Sequence, residues 1–191
     1  GNRLGANSLL DTLVFGRRAG DHASNAVKSR QHSDAITDQY ADRERTRLQA
    51  MLDRNADGEL FGKIRLDLGE TMNTHLAVYR DQHGMETALE KLKELKTRYS
   101  GVVVHDKGKT FNTNLIFTLE LGFMLDCAEA IILGALERKE SRGAHTRTDM
   151  PDRDDANWLK HILISRTDDG EPDVAYQDVT ITQWEPQVRS Y

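Results

Sequence analysis

Apolar residues along the chain recur mostly at helical spacing, and only near the C-terminal end at the alternation of strands. Leu9, Leu10, Leu13 and Val14 follow Asn7-Ser8. Ser8 with Asp11 three residues later has the form of a capping box, in which the serine oxygen and the carboxylate each satisfy a backbone N–H. A helix is therefore expected to begin near Ser8 or Leu9. It should fade by Ser29, because residues 30–37 mix Gln, His, Ser and Asp without periodicity. A second helix is expected over Asp38–Asp53, with Tyr40, Leu48, Met51 and Leu52 on a heavily charged surface, stopping at Asn55-Ala56-Asp57-Gly58.

The cleanest stripe comes next. Phe61, Ile64, Leu68, Met72, His75 and Tyr79 lie three or four residues apart, which aligns them on one helix face. A fourth helix, Met85 to about Tyr99, repeats the pattern with Ala88, Leu92 and Leu95, and Gly101 breaks it. Residues 102–110 then read as a connector. The fifth helix, from about Thr113 to Lys139, is apolar on more than one face, so it is expected to sit centrally with the third and fourth around it. Beyond Ser141, Ile162, Ile164, Val174, Tyr176, Val179 and Ile181 flank Thr167-Asp168-Asp169-Gly170 and predict a β-hairpin or two short strands. The fold class expected is mainly α: an antiparallel bundle of three long helices plus an N-terminal helix, with a small C-terminal hairpin. Three segments follow from this pattern: 1–30, 31–140 as the bundle, and 141–191 as an extension with short strands.

Composition narrows the function classes. The 191 residues are 38% hydrophobic and 30% charged with a net charge of -5, which gives no bulk electrostatic reason to expect nucleic acid. The most apolar stretch, Leu115–Leu136, carries Glu120, Asp126 and Glu129, which a membrane-spanning helix tolerates poorly. Cys127 has no CxxC or Cys/His partner spacing, and the simplest setting for it is a reducing compartment. The beginning of the sequence shows no secretion-signal pattern.

Two apparent metal signals are weak. Asp53-Arg54-Asn55-Ala56-Asp57-Gly58 matches the opening of a calcium loop, but its twelfth position is Ile64, not a bidentate glutamate, so a helix-connecting turn is expected. The seven histidines form no HxxxH or HxH pair, so no metal site is expected, and His75 on the apolar stripe is expected to be a core histidine. No GxGxxG follows a strand, so a nucleotide cofactor is not held mainly by this chain.

The segment Asn2-Arg3-Leu4-Gly5-Ala6-Asn7-Ser8-Leu9-Leu10-Asp11, continued by Val14-Phe15-Gly16-Arg17, sets a guanidinium beside the positive end of a helix. A planar fork and free N–H groups both suit a carboxylate. The residues alone leave open an ordinary surface arginine beside an N-cap. A second segment, Glu140-Ser141-Arg142-Gly143-Ala144-His145 with Arg147, Asp149, Arg153-Asp154-Asp155 and Asn157-Trp158, reads as a loop tied down by charge pairs, with no derivable chemistry.

Both segments resemble the succinate dehydrogenase and fumarate reductase flavoprotein family, the first its Asn-Arg-Leu-Gly-x-Asn-Ser-Leu-Leu-Asp motif, the second its Glu-Ser-Arg-Gly-Ala-His run over nearly twenty positions. The closing Val188-Arg189-Ser190-Tyr191 is similar to the family's usual ending, and only Gly1 remains of the His-Gly-Ala that usually precedes the first motif. The resemblance implies that Arg3 grips a carboxylate of succinate or fumarate and that Ser8 and Leu9 contact FAD. N–H groups there would stabilise the anionic reduced flavin. It further implies hydride transfer between dicarboxylate and FAD in the parent subunit, with electrons passed to an iron-sulfur subunit and membrane anchor subunits. The parent would be peripheral on the cytoplasmic side of the membrane. No catalytic proton donor is carried over onto this chain, so the chain alone is expected to be inactive. A non-catalytic helical interaction module and the C-terminal region of an L-aspartate oxidase are the alternatives. Arg153-Asp154-Asp155 with Asn157-Trp158 and the Arg-x-Tyr ending favour the succinate/fumarate branch.

Overall fold

A computed structural model describes residues 7–30, 38–54 and 57–187. Its helices are α1 (Asn7–Ser29), α2 (Asp38–Leu52), α3 (Phe61–His75), α4 (Gln82–Ser100), α5 (Thr113–Glu137) and the single turn α6 (Asp155–Trp158). The short strands are β1 (Tyr79–Arg80), β2 (Thr146–Arg147), β3 (Lys160–Arg166) and β4 (Pro172–Asp178). The architecture is mainly α, with a C-terminal hairpin.

The core forms where α3, α4 and α5 pack pairwise. Ile64 and Leu68 from α3, Met85, Ala88, Leu92 and Leu95 from α4, and Leu121, Leu125, Ala128, Ile132 and Ala135 from α5 form one buried cluster. Each fully buried Leu, Ile or Met contributes about 1.5–3 kcal/mol. The helix starts are capped in the usual way. Asp81 accepts from the Gly84 N–H at 2.8 Å and Asn112 from the Leu115 N–H at 2.8 Å. Arg98 near the end of α4 reaches Glu59 at 2.5 Å and Asp67 at 2.7 Å, fastening that end to the start of α3.

Glycine matters at two close approaches. A Cβ on Gly122 of α5 would lie 2.5 Å from the Tyr99 hydroxyl of α4, so the glycine makes room for that ring. Gly58, the glycine of the calcium-like segment, packs against Val103, and a Cβ there would lie 2.7 Å from the Gly101 carbonyl. Neighbouring backbone and side chain thus explain the residue without an ion.

The structure departs from the sequence expectations at several points. Helix α1 begins at Asn7, one residue before Ser8, so Ser8 and Leu9 lie in its first turn. Tyr79 is not on the α3 stripe. The helix ends at His75, and the Arg80 guanidinium takes the carbonyls of Leu76 and Ala77 at 3.0 and 3.4 Å, so the chain turns out of the helix and Tyr79 enters β1, exposed. His75 is half-buried at the core's edge, its ring beside Gly84.

Val102, Val103 and Val104 are buried. Val103 donates to the Glu59 carbonyl at 3.0 Å and pairs with Leu60, so the segment is a layer of the core and not a bare connector. In β3–β4, Ile162 pairs with Tyr176 and Ile164 with Val174, while Val179 and Ile181 fall beyond the strand.

Helix α5 packs against α3, α4 and the hairpin strand β3, as its apolar faces suggest, while Ile116 and Phe123 stay exposed on the side away from the core.

Candidate functional site

The candidate chemistry lies in two regions. The first is the start of α1. Ser8 is partly buried and Leu9 is 70% exposed, both in the first turn of the helix. Arg3 lies outside the described residues. From Ser8 to Ser29 every side chain except Ser8 and Ala26 is exposed, including Leu10, Leu13, Val14 and Phe15. An apolar helix face of this kind is built to be covered.

The second region is the segment after α5, and here the structure brings together residues that stand apart in the sequence. The buried carboxylate of Glu140 accepts from Arg138 Nη1 at 2.6 Å, Arg142 Nε at 2.6 Å, Arg142 Nη2 at 3.0 Å and the Asp154 N–H at 2.7 Å. Arg142 also reaches Asp155 at 2.6 Å, whose other oxygen holds Arg153 at 2.5 Å. Arg138 continues outward to the Trp158 and Lys160 carbonyls at 3.0 and 2.7 Å, pinning the entry to the hairpin. The Arg-Asp-Asp and Asn-Trp runs therefore meet the Glu-Ser-Arg segment through Glu140.

Arg147 is fully buried. It donates to Asp149 at 3.0 and 2.6 Å, to Gln82 Oε1 at 2.9 Å and to the Arg138 carbonyl at 3.3 Å. Asp149 also accepts from the Gln82 N–H at 3.0 Å, which ties the loop to the first turn of α4. Arg80 donates to His145 Nδ1 at 3.0 Å, and its carbonyl accepts from the Thr148 N–H at 2.8 Å within the parallel pairing of β1 with β2. Arg80 and Gln82 stand 65 residues before their partners His145 and Arg147, and no sequence spacing marks such a pairing.

The electrostatics follow from this wiring. Burial pushes the Glu140 carboxyl up, but donation from Arg142, the Asp154 N–H and Arg138 outweighs it and leaves the group below the ordinary range. Hydrogen bonding from Arg147 holds Asp149 at about 2. Arg142 is pushed up by its bond to Glu140. Among the described residues no buried side-chain nitrogen or oxygen lacks a partner, so the cluster leaves no buried donor for a ligand. It is a clamp. No group of three or more His, Cys, Asp or Glu among the described residues is placed to hold a metal ion.

Residues 65–191 match the family described as fumarate reductase flavoprotein C-term. The chain belongs to that family. Over its whole length it is 42% identical to the fumarate reductase flavoprotein subunit of Haemophilus influenzae, of which it covers 32%. A solved structure of a variant of E. coli quinol fumarate reductase superposes with a TM-score of 0.87 at 39% identity, over 98% of this chain and 32% of that one. The Mycobacterium smegmatis Sdh1 complex gives a TM-score of 0.82 at 32% identity, over 94% and 31%. The chain thus spans about a third of the length of the relatives it matches. The family places the clamp, α3 from Arg65 onward, α4, α5 and the hairpin inside the matched region, while α1 and α2 lie before it. No helix among the described residues is long and apolar enough to cross a membrane.

Proposed function

We propose that this chain supplies one wall of the active site, and the C-terminal helical domain, of a flavoprotein subunit that interconverts succinate and fumarate. Residues 1–30 are read as the end of its FAD-binding domain, 31–140 as the bundle and 141–191 as an extension clamped to it. The observation that carries the reading is α1. An apolar helix that the described residues leave uncovered, in a sequence matching a third of longer flavoprotein subunits, is what a helix of an interrupted domain looks like.

Arg3 binds a substrate carboxylate, offering a bidentate fork next to the positive end of α1. Ser8 and Leu9 contact the flavin. The residues present fit such a group: the positive end of the α1 dipole favours negative charge, and exposed Leu9 offers an apolar surface beside it. FAD, when bound, accepts or returns the hydride. This chain's part is to orient the dicarboxylate and to stabilise charge at the flavin edge. Electrons leave through an iron-sulfur subunit to membrane anchor subunits, with the subunit peripheral on the cytoplasmic side of the membrane.

The test is Arg3→Ala in the whole polypeptide carrying this sequence. Loss of a charged partner is expected to raise KM for succinate at least about 30-fold while flavin content and the unfolding midpoint stay unchanged. Unchanged steady-state constants would overturn the assignment. The 191-residue chain alone is expected to show neither stoichiometric flavin nor succinate-dependent dye reduction.

A further inference from the structure

We propose that His145 is an acid-released latch between the segment after α5 and the turn joining α3 to α4. Its ring lies where three parts of the chain meet. Arg80 of β1 donates to Nδ1 at 3.0 Å, and Nε2 lies 3.4 Å from the Arg138 carbonyl at the end of α5. The His145 backbone exchanges hydrogen bonds with Arg142 at 2.8 and 3.0 Å. Because Arg80 can only donate, Nδ1 must be the acceptor, so the ring is neutral and carries its proton on Nε2.

Protonation would set a second N–H against the guanidinium. Arg80 cannot retreat easily, since its Nε is held by the Leu76 and Ala77 carbonyls. The charges facing the ring are all positive: Arg80 from β1, Arg147 from β2 and Arg138 from the end of α5. The nearest carboxylates of the clamp are engaged elsewhere, Glu140 with Arg138 and Arg142, Asp149 with Arg147 and the Gln82 N–H. Nothing in the cluster is placed to welcome an imidazolium, and burial, then the Arg80 charge, pushes the ring below its ordinary range.

The pH window is set by these directions. A histidine whose folded pKa is depressed contributes stability that is complete above the unfolded value, about 6.5, and is lost as pH falls through the folded value. Glu140 and Asp149 are held below their ordinary carboxylate ranges, so they stay ionised down to about pH 5, where the ring is tested. Mild acid therefore opens the Arg80 contact first, with the Glu140 and Asp149 bonds intact.

The experiment uses the whole polypeptide carrying this sequence. Exchange of the imidazole C2–H, read by mass spectrometry across pH 4–8, is expected to place the His145 midpoint below the ordinary 6.5. A midpoint at or above that value would overturn the proposal. In parallel, the urea midpoint is measured at pH 7 and pH 5 for wild type and His145→Asn, whose amide oxygen can accept from Arg80 without titrating. The fall seen in wild type should be at least halved in the variant, and parallel falls would refute the latch. If His145→Asn does not fold, the C2–H midpoint of the wild type decides alone.

Discussion

In α4, Met85, Ala88, Leu92 and Leu95 recur at three- and four-residue spacing and are wholly buried. In α1, Leu9, Leu10, Leu13 and Val14 recur with nearly the same spacing and face outward. The two sequences read alike; the difference lies in what each helix has been given to pack on. The bundle finds its partners within residues 61–136 and closes with the clamp around Glu140 and Arg147. Helix α1 finds none among the described residues, and its partners belong, on the reading proposed above, to the upstream part of a longer subunit. Periodicity reports that a face will be buried, not which polypeptide segment buries it.

The contrast can be tested by substitutions that should act strongly in one region and weakly in the other. The largest effect is expected from Glu140→Gln. It leaves Arg138 and Arg142 without their shared buried carboxylate, so it should cost about 3–5 kcal/mol, read from denaturant unfolding. Leu92→Ala, which hollows the core at a fully buried position, should cost about 2–5 kcal/mol by the same measurement. Gly122→Ala should cost about 1–3 kcal/mol, because the new methyl meets the Tyr99 ring, and Tyr99→Phe in the same background should recover part of it by removing the hydroxyl that stands nearest. The smallest effect is expected at Leu13→Ala. In the 191-residue chain it should change bundle stability by no more than about 0.5 kcal/mol, whereas in the whole subunit the same change should destabilise measurably. A large effect of Leu13→Ala in the short chain would erase the distinction.

Much of the bundle was legible because burial and local period agree there: Ile64 and Leu68, then Ala88, Leu92 and Leu95, lie where their spacing puts them. The hairpin was legible because Ile162 and Ile164 alternate and Gly170 supplies the positive φ of its turn. Tyr79 was misplaced because α3 ends at His75, and Arg80 holds the turn that follows through the Leu76 and Ala77 carbonyls, where the apolar spacing would have continued the helix. The valines at 102–104 are too short a run to show a period, yet they close the core beside Leu60. The clamp was visible as a composition of Arg and Asp, but which guanidinium meets which carboxylate depends on a fold that brings residues 80 and 82 to residues 145 and 147. Of the site residues, Ser8 and Leu9 sit in the first turn of α1 as the motif suggested; their roles, like that of Arg3, rest on resemblance and await the substitution proposed above.

The most direct test of the two-part reading is amide hydrogen exchange on the 191-residue chain and on the whole polypeptide carrying it. A helix without tertiary packing is marginal in water, and its exposed hydrogen bonds open readily. In the short chain, amides of α4 and α5 should therefore be strongly protected while those of α1 exchange nearly as fast as unfolded peptide; in the whole polypeptide α1 should become protected as well. Strong protection of α1 in the short chain, or none in the whole polypeptide, would contradict the assignment of α1 to a domain completed elsewhere.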